Sequence, residues 1–374
     1  MTATADPHHD LHSEQGSLPG EHVGRHRNPV IKVRDLAWLE FEKPDLRSAV
    51  DFAKAFGLTI HEQTDDAVYL RGSWENTVCI VIRKGSRSRF LGPAFHADSE
   101  ADLDRLADRT GTQLGAIDEV IGGNGVRLQD PSGQNVMVVH GAAELPAVAD
   151  QGLLTYNRGS STPRVNATQR PPREPARVQR LGHYVLMSTS FQRDLDWYLE
   201  HFGLIVSDFL FLEGQRDRGP TMAFIRCDRG SEPSDHHTLA MTLGPEPGYV
   251  HSAYQVADLD TLAAGGEYLK DSGYKRVWGI GRHIQGSQIF DYWHDPDRLM
   301  MEHFTDGDRF DADVETGWCP MNSSNLSQWG PPVTQEFLGL EPSPRLVSSA
   351  LKALRGDNEL DVSRLMALAS AMRT

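Results

Sequence analysis

The sequence predicts an α+β fold of two similar halves, each built from two β-α-β-β-β units. Three observations predict it. A strand, helix and helix-ending glycine occur twice, a pair of later segments repeats in the same order, and a Pro- and Arg-rich stretch separates the copies. Self-similarity at this period is a stronger architectural signal than propensity at any one position.

In the first copy, LAWLEF at Leu36–Phe41 reads as a strand, and DLRSAVDFAKAFGL follows as an amphipathic helix closed by Gly57. In the second, LGHYVLMSTS at Leu181–Ser190 is followed by FQRDLDWYLEHFGL. There Leu195, Tyr198, Leu199 and Phe202 fall on one helical face, and Gly203 supplies the C-terminal cap. PAFHADSEADLDRLA (Pro93–Ala107) matches SAYQVADLDTLA (Ser252–Ala263), each a strand and then a helix opened by Asp or Ser. QDPSGQNVMVV parallels HDPDRLMMEHF, with turns at Asp130–Pro131 and Asp295–Pro296.

These patterns divide the chain. Residues 1–29, polar and aperiodic, are expected to form a mobile tail whose His8, His9, His12, His22 and His26 are solvated. The first half spans 30–141. Residues 142–180, including STPRVNATQRPPREPARVQR, form a linker, because proline fixes φ and cannot donate to a strand ladder. The second half spans 181–308. An extension, 309–374, carries helical periodicity in PRLVSSALKALRG and DVSRLMALASAMR.

Composition narrows the function. Of 374 residues 39% are hydrophobic, enough for a real core. A net charge of −15 disfavours nucleic acid or an anionic membrane as partner, since either needs a basic face. Cys79, Cys227 and Cys319 are far apart and form no CxxC pair, so neither a disulfide framework nor a structural zinc site is indicated. No apolar run approaches the roughly 20 residues that span a bilayer, and the first residues lack the apolar stretch of a signal peptide. A cytoplasmic, globular protein is expected, and self-association is common at this size.

Superposing the two copies shows where ligand-type residues differ. His183 falls on Trp38, His251 on Gly92, and Glu302 on Met137. Residues needed for packing would tend to recur in both copies; these three do not. Each sits in a strand among apolar neighbours, where an imidazole or carboxylate is costly unless paired or metal-bound. Two imidazoles and one carboxylate form the facial set typical of non-haem Fe(II), with positions left open; Mn(II) accepts the same set. Alone, each has a plainer reading: a strand histidine is ordinarily a core residue bonded to backbone, and Glu302 could pair with Arg282 or Arg298. Further polar residues gather in the same half. His237 precedes TLAMT, His283 lies in the glycine-flanked loop GIGRHIQGS, and Tyr292 lies in IFDYWHDP. Tyr292 reads equally as a core tyrosine or a functional one. His236 and His294 read as surface residues. Phe209, Trp278, Phe290 and Phe304 are candidates for a pocket wall or for core.

LGHYVLM, HHTLAMT with VHSAY fourteen residues on from His237 to His251, and GRHIQGSQIFDYWHDPDRLMMEHF resemble the type I extradiol catechol dioxygenases of the vicinal-oxygen-chelate superfamily. The resemblance runs from about Val30 to Asp308. It implies that each half closes into an open barrel, that only the second holds metal, and that the enzyme cleaves a catecholic substrate with O₂. Carried over position by position, it implies His183, His251 and Glu302 as Fe(II) ligands. It also implies His237 as acid–base, and His283 and Tyr292 as hydrogen-bonding groups around substrate and oxygen. Some family members have Asn where this chain has Gln285. Two rivals remain at this point: another two-His-one-Glu dioxygenase, of the 4-hydroxyphenylpyruvate type, and a non-catalytic aromatic-binding module.

Overall fold

The computed structural model describes residues 13–152, 154–322, 326–339, 344–356 and 358–371; His8, His9 and His12 lie outside them. A short strand β1 (Glu14–Gln15) comes first. The first half then follows as β2 (Val33–Lys43), α1 (Leu46–Ala55), β3 (Thr59–Gln63), β4 (Ala67–Arg71), β5 (Ile80–Lys84), β6 (Arg89–Ala97), α2 (Glu100–Thr110), β7 (Leu114–Ala116), β8 (Asn124–Gln129) and β9 (Asn135–His140). The second half runs β10 (Arg180–Ser188), α3 (Phe191–Phe202), β11 (Leu204–Phe211), β12 (Met222–Cys227), β13 (Ser234–Asp235), β14 (Leu239–Leu243), β15 (Gly248–Gln255), α4 (Leu259–Asp271), β16 (Lys275–Arg282), β17 (Ile289–His294) and β18 (Met300–Thr305). After these come β19 (Arg309–Phe310), β20 (Gly317–Pro320), α5 (Pro344–Ala353) and α6 (Val362–Ala371).

The helices start and stop as the local sequence dictates. Asp45 caps α1 by accepting from the N–H groups of Arg47 and Ser48, Ser99 and Asp102 form a capping box on α2, and Gly203 closes α3 in the left-handed conformation. The α3 residues Leu195, Tyr198, Leu199 and Phe202 are all buried.

Two large mixed sheets result. One has the order β3-β4-β5-β2-β6-β9-β8-β7, the other β1-β20-β11-β12-β14-β10-β15-β18-β17-β16. The repeat is visible in the register. Trp38 pairs with Ala94, and Ala94 with Met137; His183 pairs with Ala253, and Ala253 with Glu302. The positions matched by sequence therefore occupy equivalent rows. In the first sheet that row is filled by Trp38, packed in a core with Ala37, Tyr69, Val81, Ala94 and Val139.

Two polar stretches differ from expectation. Residues 13–29 are not a free tail. β1 pairs with β20, Arg25 bridges to Ile205, and Glu14 and Glu21 bind Arg216. The 142–180 stretch is also partly packed, with Ala176 and Val178 fully buried. Composition reported the lack of regular structure there, but not the surfaces on which the chain lies. Among the described residues no helix is long and apolar enough to cross a membrane.

Candidate metal centre

The second sheet lays its polar residues in one row. His183 on β10, Ala253 on β15, Glu302 on β18, Tyr292 on β17 and Trp278 on β16 are successive cross-strand partners. Direct partners face the same side of a sheet, and His251, two residues before Ala253, faces that side as well. Gly182 leaves room beside His183: a Cβ there would lie 2.3 Å from the Phe304 ring.

The row brings His183, His251 and Glu302 together, with one potential ligand atom from each within 4.8 Å of the others. The Nε2 atoms of His183 and His251 approach the same oxygen, Glu302 Oε2, at 3.3 and 3.5 Å. These contacts lack hydrogen-bond geometry, and both Glu302 oxygens are without a hydrogen-bond partner although the residue is wholly buried. Burial opposes the charge of Glu302, but the facing imidazoles of His183 and His251 outweigh it and hold the carboxyl well below the usual range. Burial likewise pushes the His251 imidazole below its ordinary value. An unpartnered buried carboxylate facing two imidazole nitrogens is the donor set of a divalent transition metal, so these residues fit such an ion. Arg282 binds Asp306 instead, and Arg298 binds Glu336.

The other expected residues surround this cluster. The His237 ring centroid lies 4.0 Å from that of His183. Its pKa is pushed well below the ordinary value by burial first, and then by the neighbouring imidazoles. His283 Nε2 is 2.9 Å from the Tyr292 hydroxyl and 3.9 Å from Glu302 Oε1. His283 Nδ1 donates to the Leu326 carbonyl at 2.7 Å, so Nε2 is left to accept from Tyr292. Burial lowers the His283 pKa to about 4 and raises that of Tyr292, which the Glu302 charge raises further. Gln285 donates its amide to Cys319 Sγ at 3.3 Å.

The pocket-wall candidates divide. Trp278 stacks on Tyr292, Phe290 on His283, and Phe304 lies 5.7 Å from the His183 ring. Phe209 instead packs on Trp318 and His22. The surface reading of His236 is overturned: it is fully buried against Asp208, because the pairing of β13 with β19 folds the polar SDHH run inward. His294 is mostly covered too, with Nε2 3.0 Å from Glu336. Sequence reasoning missed Asp208 and Phe337. Asp208 had a usable signal, an acid inside the apolar run LIVSDFLF. Phe337, 4.8 Å from Tyr292 and 6.2 Å from His251 between ring centroids, had none.

No family model matches the chain. Curated relatives do. Metapyrocatechase 2 of Cupriavidus necator is 29% identical, covering 89% of this chain and 98% of its own. The iron-dependent extradiol dioxygenase of Rhodococcus jostii is 24% identical over 80% of this chain and 97% of its own. Among solved structures, homoprotocatechuate 2,3-dioxygenase of Arthrobacter globiformis matches with a TM-score of 0.67 and 21% identity, covering 84% of this chain and 93% of its own. A Mn(II)-bound glyoxalase of Novosphingobium aromaticivorans matches with the same TM-score and 23% identity, covering 84% and 95%. The chain is thus similar in sequence, over most of its length, to curated extradiol ring-cleaving dioxygenases, and it shares the fold of a solved one.

Proposed function

We propose that this protein opens the ring of a substituted catechol with O₂, beside rather than between the two hydroxyl-bearing carbons, using Fe(II) held by His183, His251 and Glu302. The observation that carries the reading is the buried, unpartnered Glu302 carboxylate facing two imidazole nitrogens. The names of the relatives supply the reaction class. Fe(II) bound there supplies the redox exchange between catechol and O₂.

The chain's own residues do the rest. His237, kept neutral by burial, accepts a proton from a catechol hydroxyl and later returns it to the reduced oxygen. Tyr292, its hydroxyl bonded to His283, orients the substrate and stabilises charge as it develops. The Trp278, Phe290 and Phe337 rings close one side against water. Both oxygen atoms end in a yellow hydroxymuconate semialdehyde-type product.

The test is oxygen uptake by the iron-loaded protein with a panel of substituted catechols. Uptake matched by yellow product is expected; none across the panel rejects the assignment. His237→Phe is expected to keep its iron and lose about 10²–10⁴-fold in turnover. Loss of iron instead would reassign His237.

A further inference from the structure

Behind His237 lie two buried polar groups that this chemistry does not use. Asp208 Oδ2 is 2.7 Å from His236 Nε2, and His236 Nδ1 is 3.0 Å from His237 Nδ1. His236 is 1% exposed and Asp208 7%. The arrangement is built into the backbone. A register shift between Val206 and Asp208 breaks the β11–β12 ladder at this point, as bulges do where a side chain must be re-aimed. Two glycines leave room for the pair: a Cβ at Gly317 would lie 2.2 Å from Asp208 Oδ1, and one at Gly286 would lie 2.9 Å from His236 Nδ1. The His236 main chain is pinned on both sides, its N–H donating to the Asp308 carbonyl at 2.9 Å and its own carbonyl accepting from Ser207 Oγ at 2.6 Å. Phe224 and Phe310 flank its ring.

We propose that Asp208 and His236 are positioning residues that hold His237 in the tautomer with its proton on Nδ1, leaving Nε2 bare for the substrate proton. The proposal rests on the function assigned above. Its logic is donor and acceptor counting. A carboxylate only accepts, so His236 donates from Nε2. With its one proton on Nε2, His236 presents a bare Nδ1 at 3.0 Å from His237 Nδ1 and so accepts the proton there. The remaining His237 nitrogen, Nε2, carries no proton. Each hydrogen bond sets the polarity of the next, so the acid at position 208 decides the protonation site two rings away.

Asp208→Asn tests this, because an amide can donate to His236 Nε2 and reverse the whole chain. In the metal-free full-length protein, labelled with ¹⁵N-histidine, long-range ¹H–¹⁵N spectra are expected to show His237 protonated on Nδ1. The His237 signal is identified by its absence in His237→Phe. In Asp208→Asn the proton is expected on Nε2. In the iron-loaded enzyme the same variant is expected to lose about tenfold or more in kcat, with KM changed less than about twofold and iron content unchanged. His236→Gln keeps the polarity, its amide donating to Asp208 and its carbonyl accepting from His237. It is expected to stay within about threefold of wild type in kcat, whereas His236→Leu is expected to fall with Asp208→Asn. If Asp208→Asn does not fold, the Gln and Leu variants decide the question. A wild-type His237 protonated on Nε2, or equal kcat in the Gln and Leu variants, overturns the proposal. Absence of catechol cleavage in the wild type would sink the assigned function, while the tautomer spectra still decide the relay.

Discussion

Glu302 is the residue on which the site turns. Both its oxygens are buried without a hydrogen-bond partner, and without a cation the cost of burying its charge is offset by the facing His183 and His251 imidazoles. A bound cation adds direct coordination to that offset. Glu302→Gln should therefore weaken both forms. Metal affinity is expected to fall by at least about 100-fold, read by titration of Fe(II) or Mn(II) under anaerobic conditions. The metal-free variant is expected to melt below the metal-free wild type at pH 7, because a depressed carboxylate pKa is a stabilising contribution that the amide loses. A metal-free variant that melts at or above wild type would mean that the imidazoles do not compensate the buried charge. The clustering of His183, His251 and Glu302 was legible in sequence because duplication supplied an internal reference: Trp38, Gly92 and Met137 stand where these three stand in the other copy. Asp208 and His236 were not legible as a pair. They are 28 positions apart, and a strand irregularity and two glycines, rather than any spacing, bring them together.

At the scale of elements, strands and helices followed from period, caps and repeats, but the segment 326–338 did not. It has no regular period, and its position comes from covering β16, the edge strand of the second sheet. Arg282 N–H donates to the Trp329 carbonyl, Trp278 Nε1 to the Pro331 carbonyl, and Thr334 Oγ1 to the Val277 carbonyl. Glu336 binds Lys275, His294 and Arg298 together. This strap carries Phe337 onto Trp278 and Tyr292, so it forms part of the wall beside the His183, His251 and Glu302 cluster. Phe337→Ala is expected to raise kcat/KM for catechols bearing a bulky ring substituent relative to unsubstituted catechol. The ratio should change by about 10–200-fold, the usual worth of an apolar pocket contact, with metal affinity unaltered. Equal ratios in variant and wild type would place the substrate on another side of the cluster.

The whole molecule depends on how its halves meet, and here the sequence said least. His303, next to Glu302, donates from Nε2 to the Phe56 carbonyl and stacks on the Phe56 ring. Ser132 in the first half bonds Asp194 in the second, and the Tyr198 hydroxyl donates to Asp130 at 3.2 Å. Such contacts join positions far apart in the chain and leave no local pattern. The sharpest case is Lys43, a charge at the end of β2 that would pass for a solvated residue. It is 4% exposed and binds both Asp295 and Asp297, on the turn that leads into β18. Burial raises the Asp295 pKa, and Lys43 pulls it back. Removing the cation in Lys43→Met leaves Asp295 buried and uncompensated. The expected loss is about 3–5 kcal/mol, read by urea unfolding at pH 8. The pH dependence has a definite sign. With Lys43 gone, the folded pKa of Asp295 rises further above its unfolded value, so the destabilisation is full above the folded pKa and is relieved as pH falls through it. Lys43→Met should therefore approach wild-type stability as the pH is lowered from 8. Asp295→Asn added to Lys43→Met should restore much of the loss at pH 8, since a neutral amide needs no cation. A loss in Lys43→Met that stays constant with pH and survives the second substitution would assign the effect to packing of the lysine stem rather than to the buried charge.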